Sequence, residues 1–563
     1  RPLPNFIRGM MGDSGTSLVE VGNSALYQFA NSEDLTRASM DGTATTWTAS
    51  FWVYRAEKFG SASARFMFTI ASDAGLAFNY TSKADQLLWY SGSYTGTTAL
   101  YRDVGWYHIV VKSVSGTGTV YVNGESVLSS LTVNGADATM CIGGYDNACC
   151  WLDGYMAEWV FIDGTAYNPT SFAGYDDTGL YWTPLASATI KALTFGTNGF
   201  YLDNVTNAET DASGEGNNFT NNNTVTLSTH TPTNVFGFLN PLNSGGIGTL
   251  SNGNRTYAQS SGAVRDMSTM SFPAAGKFYF EGTLASFANG VAFGIAEAGS
   301  DGQSTFLGAN YAGISVQSGP AGRYYRFSAT RNDIPTSGTN ALTEVADTLM
   351  LAVDCAEGKI WIGFYDDSLD ATRWVDASDG YQTGDQPGSG TNATIDLATT
   401  LEGYQFAVNS AGSIALTVNM GDVAYTRTAP SGFGSFNTAN IAAENTTTAS
   451  DTGEYWNNFL YTGNGNTPDA RTGMGFQPDF TWFKNRDDAD GSLLFDSVRG
   501  NSNYLRSDST IAQGNSDTTQ RSFDTDGFTI GDNVAINAST ETYVAWCAKL
   551  GGAPTATNSA GAG

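Results

Sequence analysis

Two histidines, His108 and His230, are the whole imidazole inventory of these 563 residues. A histidine acts as a base only when a nucleophile and an orienting partner stand within hydrogen-bond reach. His108 lies in "WYHIVVKSV", residues 106–114. In a strand, Trp106, His108 and Val110 share one face, and Tyr107, Ile109 and Val111 share the other. No Ser, Cys or Asp forms a nucleophile motif around it. The pattern therefore predicts a neutral structural histidine. His230, beside "TPTN", reads as a loop residue with no ligand cluster near it.

The carboxylates point the same way. Asp153, Glu158 and Asp163 are spaced by five, an odd separation that puts neighbours on opposite faces of a strand. Glycoside hydrolysis needs two carboxyls flanking one bond, ~5–9.5 Å apart. Asp487, Asp488 and Asp490 precede Gly491, and Asp524 and Asp526 precede Gly527. These runs lack the spacing and terminal Glu of a calcium hand, so they read as turns. The five cysteines contain no CxxC pair, and with two histidines they do not make a zinc site. A bridge from Cys141 to Cys149 or Cys150 is sterically open. Cys355 and Cys547 are expected as buried thiols. No metal and no cofactor is expected.

What the chain has in quantity is aromatic surface: 12 Trp, 27 Tyr and 32 Phe. Exposed rings can stack on a ligand while nearby polar groups fix its orientation. Trp89, Tyr90 and Tyr94 in "LLWYSGSYTG", with Tyr145, Asp146 and Trp151, are the candidate contacts. A second candidate is Arg323, Tyr324, Tyr325 and Arg326 in "RYYRFSATRNDIPTSGTN", an aromatic-basic insertion that reads as an ordinary long loop or, alternatively, as a contact point.

The elements that must carry these residues are strands. Gly is high at 66 residues, Pro low at 14, and apolar alternation recurs with period two. In "TWTASFWVYR", Trp47, Ala49, Phe51 and Val53 alternate with Thr48, Ser50, Trp52 and Tyr54. Asn123-Gly124 between two alternating runs signals a hairpin. Leu349, Leu351, Val353 and Cys355 alternate with Met350, Ala352 and Asp354, and Glu357-Gly358 supplies a turn. Phe480, Trp482 and Lys484 alternate with Thr481, Phe483 and Asn485. The expected fold class is all-β: tandem β-sandwich domains joined by ordered connectors. The expected divisions are 1–185, a connector over 186–240, a sandwich over 241–436, another over 437–550, and a small polar linker over 551–563.

The balance of 26 basic and 54 acidic residues, net −28, argues against nucleic acid and anionic membranes as partners. No apolar run approaches the ~18 residues of a membrane-spanning helix. The chain opens on "RPLPNFIRGMMG" without an initiating Met or an apolar signal core, which implies a trimmed or processed start. The final "GGAPTATNSAGAG" implies continuation past residue 563.

"GWYHIVVKS", "GTVYVNGE", "MCIGGYDN" and "WLDGYMAEWVFIDG" in that order resemble a laminin-G-like, concanavalin-A-type jelly roll. "FYFEG", "LAVDCAEGKIWIG", "VNMGD" and "APSGF" resemble a SPRY domain. "GTAYNPTSFAGYDDTGLYWTPL" with the blocks after it, and later "YTGNG", "GFQPDFTWFKNR", "SFDTDGFTIG" and "YVAWCAK", resemble connectors and a β-sandwich module of bacteriophage virion proteins. The resemblance implies a non-enzymatic tail fibre, spike or head fibre on the virion surface, adhering to a host-cell glycan. Its partners would be other capsid or tail proteins and copies of itself, by analogy a trimer. A purely architectural decoration or connector protein is the alternative, and a polysaccharide depolymerase comes third.

Overall fold

Strand Trp47–Arg55 is buried along its whole length because it has two apolar faces. Trp47, Ala49, Phe51 and Val53 enter one core, and Trp52 and Tyr54 enter another. β-branched and aromatic side chains favour such a pleated, doubly covered position. The computed structural model describes residues 20–550 apart from 39, 41–44, 57–63, 71–73, 81–82, 134–138, 177–180, 243–247, 261–263, 288–290, 298–310, 317–322, 328–329, 334–347, 367–369, 377–380, 383, 411 and 445–455. Contacts divide the chain into two units, 1–446 and 447–563.

In the first unit, Trp47–Arg55 lies between Gly105–Val114 and Gly154–Asp163 in an eight-stranded antiparallel sheet. A seven-stranded sheet faces it, and Phe68, Leu76, Trp89 and Ile142 from that sheet close the core. This is a two-layer sandwich. The Asn123-Gly124 hairpin forms as expected: both residues have positive φ, 48° and 84°, as a type I′ turn requires.

The expected connector changes character. Phe200–Leu202 pairs with Gly154–Asp163, Thr226–Ser228 extends the eight-stranded sheet, and Thr220–Asn222 extends the seven-stranded one. Residues beyond 185 therefore complete the first sandwich. The last two are edge strands, paired on one side only, so their sequences lack the alternation of an inner strand.

A second sandwich within the same unit pairs a nine-stranded with a six-stranded sheet. Leu349, Leu351 and Val353 face its core, while Met350 and Ala352 pack in a cluster on the opposite face. The Glu357-Gly358 turn requires its glycine. Gly358 has φ +67°, and a Cβ there would lie 1.9 Å from the Thr399 carbonyl oxygen. Gly358→Ala is expected to cost more than about 2 kcal/mol, read as a lower midpoint in urea unfolding. Arg323–Phe327, expected as a loop, is a strand paired on both sides, with Tyr311–Val316 and Thr330–Asp333. A ladder satisfies its backbone, so the segment is a strand and not a loop. The side chains of Arg323, Tyr324, Tyr325 and Arg326 lie outside the described residues.

The two sandwiches of the first unit share one core. Tyr54, Trp106 and Tyr155 from the first meet Tyr257, Phe278 and Phe280 from the second. His230 sits at this seam, fully buried rather than on a surface loop. Its ring lies 4.3–5.1 Å from those of Tyr54, Trp106, Tyr155 and Phe238. Asp153 accepts hydrogen bonds from the backbone N–H groups of Gly253 (2.6 Å) and Asn252 (3.1 Å) across the same seam.

The second unit packs a six-stranded sheet on a three-stranded one. Thr481, Phe483 and Asn485 turn inward, and Phe480, Trp482 and Lys484 are half-buried on the outer face, as the alternation predicts. Among the described residues no helix is long and apolar enough to cross a membrane.

Candidate functional site

His108 is fixed on both sides. Trp182 Nε1–H donates to its Nδ1 at 3.0 Å, so the ring proton sits on Nε2, 2.9 Å from Ser50 Oγ. Burial drives its pKa from 6.5 down to about 3. It is a neutral spacer between two strands and a tryptophan, with no exposed nitrogen to offer a substrate.

The carboxylates are likewise spent on structure. Asp153 holds the seam described above. Glu158 sits at a bulge with φ +52°, where pairing with Trp47–Arg55 slips between Ala157 and Val160. The bulge breaks the parity used to place it, and Glu158 turns into a buried hydrogen bond from Tyr201 Oη. Burial raises its pKa to about 7. Asp163 accepts from Asn198. Asp487 accepts from the Thr542 hydroxyl (2.8 Å), and Asp526 from the N–H groups of Gly473 and Gly475. Among the described residues no three His, Cys, Asp or Glu side chains gather to hold a metal ion.

The aromatic candidates separate into two groups. Trp89 points into the core at 1 % exposure, its indole N–H donating to the Thr132 carbonyl. Trp151 covers Gly144 and donates to Asp34 at 2.9 Å, an anchor for its own loop. Asp146 is exposed, and its backbone N–H is tied to Thr69 Oγ1. These three do not build the site.

Tyr90, Tyr94 and Tyr145 do. Tyr90 and Tyr94 are direct partners across a hairpin, flanking Ser91-Gly92-Ser93, with Gly92 at φ +70°. Opposed residues of an antiparallel pair share a face, so the two rings meet at 4.9 Å. Tyr145 arrives from another turn, in which Asp146 and Asn147 both have positive φ and Tyr145 bridges to Cys149. Its ring lies 6.0 Å from Tyr90 and 4.9 Å from the buried Phe66 beneath.

Together they wall an open hollow of about 600 Å³ on the outer face of the seven-stranded sheet. Four of its other lining residues were not anticipated. Tyr80, 41 % exposed, stacks on Tyr94 at 4.1 Å. Lys83 supplies a cation, and Cys149 and Cys150 close one side. Tyr80 precedes a turn in "FNYTSKADQ", and nothing in that polar run pairs it with Tyr94; the tertiary fold does. Burial, reinforced by Cys150 and the neighbouring tyrosines, pushes the Tyr94 hydroxyl up to about 12, so it remains a neutral donor and acceptor.

Residues 28–169 match the model of the concanavalin A-like lectin/glucanases superfamily. Residues 451–562 match a family described as a domain of unknown function, DUF7483. No curated protein matches the chain. Among solved structures it is similar to a protein described as carbohydrate binding from Bacteroides ovatus, at 15 % identity over 37 % of this chain and 60 % of that one, TM-score 0.29. The SPRY domain of human HERC1 aligns at 9 % identity over 32 % of this chain and 96 % of that one, TM-score 0.23. Domains LG4-5 of the mouse laminin alpha1 chain align at 11 % identity over 72 % of this chain and 91 % of that one, TM-score 0.23. At such identities and TM-scores these likenesses carry no functional inference. The chain is mostly β, with antiparallel jelly-roll sandwiches in tandem, the first of concanavalin A type.

Proposed function

We propose that the first sandwich binds a glycan in the tyrosine-walled hollow, without cleaving it. The observation that carries this reading is the hollow's lining: four tyrosines over a phenylalanine floor, and no carboxylate among the described residues that line it. A sugar ring offers apolar C–H faces to aromatic rings and hydroxyls to polar tips, and tyrosine supplies both partners. Hydrolysis would need a pair of carboxyls across the bound bond. The superfamily matched by residues 28–169 is named for lectins as well as glucanases, and the lectins are consistent with binding.

The wider role we propose is that of a bacteriophage surface protein, a tail fibre, spike or head fibre, whose other contacts are virion proteins and copies of itself. The ordered blocks of the later sequence support it. On this reading Tyr94→Ala weakens binding about ten-fold, because an aromatic wall residue carries ~1–2 kcal/mol of contact. A glycan array followed by titration of the best hit checks this. Equal binding by wild type and Tyr94→Ala would remove the hollow as the site. The architectural alternative is favoured by the exposed Trp456, Leu460 and Leu505 of the second unit, an apolar surface suited to assembly. It predicts no glycan binding and stable association with a capsid or tail protein. Release of reducing sugar ends from host polysaccharide would instead establish a depolymerase.

A further inference from the structure

Cys149 and Cys150 are adjacent in sequence, and both line the hollow. Cys149 is exposed and Cys150 partly so, whereas Cys141, Cys355 and Cys547 are buried; all five are thiols. The backbone around the pair is fastened. Tyr145 N–H donates to the Cys149 carbonyl at 2.9 Å, and Phe66 N–H donates to the Cys150 carbonyl at 3.0 Å. Cys150 has φ +62°, a left-handed conformation that few β-carbon residues adopt. Two thiols are thus held side by side in a turn that also positions Tyr145.

We propose that Cys149 and Cys150 are a redox-modification site, closing to a vicinal disulfide that alters the wall of the hollow and hence its affinity for glycan. The second clause rests on the function proposed above; the first does not. The oxidant is a low-molecular-weight disulfide. The exposed Cys149 loses its proton, its sulfur attacks the small disulfide, and one small thiol leaves. Cys150 then loses its proton, attacks the Cys149 sulfur, and expels the second small thiol. The pair gives up two electrons and the oxidant becomes two thiols. Burial and the neighbouring Cys149 push the Cys150 thiol up to about 12, so the closing step should quicken as pH rises. Closure replaces two polar S–H groups by a small rigid ring beside Tyr94 and Tyr145. The other three cysteines, being buried, are shielded from the oxidant.

The test is to incubate the full chain with glutathione disulfide, quench with acid, unfold, and count thiols. The expected result is a fall from five thiols to three, with the peptide holding Cys149 and Cys150 lighter by two hydrogens and no glutathione attached. Cys149→Ser and Cys150→Ser should each retain a stable glutathione adduct on the remaining sulfur. Five thiols after treatment, covalent dimers, or a lasting adduct on the wild type would overturn the site. Glycan titration of the oxidised and reduced chains should differ by at least about three-fold. Equal, measurable affinity in both states would overturn the gating. Loss of two thiols with no glycan bound in either state would leave the modification site standing and refute the proposed function instead.

Discussion

Asp422→Ala should lower the stability of the first unit by about 3–5 kcal/mol, the cost of leaving a buried charge unpaired. Asp422 is fully buried at the seam between the two sandwiches. Its Oδ1 lies 3.4 Å from Arg255 Nε without hydrogen-bond alignment, so the attraction there is ionic. Its Oδ2 accepts contacts of the same length, 3.4 Å, from Tyr155 Oη and Ser228 Oγ of the first sandwich. Burial raises its pKa above the ordinary carboxylate value, and Arg255 opposes that rise. Removing the carboxylate strands Arg255, itself only 9 % exposed, without its ionic partner. Urea unfolding followed by tryptophan fluorescence reads the loss, and Asp422→Asn separates charge from volume. A change under about 1 kcal/mol would show that Arg255 reaches solvent or another partner once freed.

The second large effect is a dependence on pH. Burial pulls the pKa of His108 from 6.5 to about 3. Below pH 6.5 the unfolded chain takes up a proton that the folded chain refuses. The stability contributed by this site is therefore full above pH 6.5 and falls by about 1.4 kcal/mol per pH unit toward pH 3. His230 is shifted in the same direction by burial. Glu33, Glu158 and Asp266 work the opposite way, each raised to about 7 by burial. Their contribution is full below the ordinary carboxylate range and lost as pH rises through 7. The wild-type curve mixes these signs, so the quantity to measure is the difference between wild type and His108→Gln. At pH 7 the variant should be the less stable, because it disturbs the bonds to Trp182 and Ser50. Between pH 6.5 and pH 4 the gap should shift in the variant's favour by about 3 kcal/mol. Parallel curves would mean that the His108 pKa is not depressed in the folded chain.

The strands that were legible in the sequence are those whose side chains alternate under burial. Trp47–Arg55, the Asn123-Gly124 hairpin and the Phe480–Asn485 strand follow from period-two patterning and turn chemistry, which are local properties. The structural standing of His108 was readable for the same reason, since no partner in its own segment could activate it. Tyr90 and Tyr94 were readable as candidate contacts, but their pairing across a hairpin was shown only by the structure.

What the sequence could not disclose depends on partners far along the chain. Thr220–Asn222 and Thr226–Ser228 are strands only because sheet edges await them nearly two hundred residues earlier. His230 is buried only because two sandwiches close around it. Trp89 and Trp151 matched the composition of a ligand wall as well as Tyr90 did, and the direction of each ring decided otherwise. Composition and alternation determined that this chain builds β-sandwiches rich in aromatic surface. Only the tertiary structure decided which rings face outward together, because a contact across a sheet is set by long-range register and loop closure, and no local pattern encodes those.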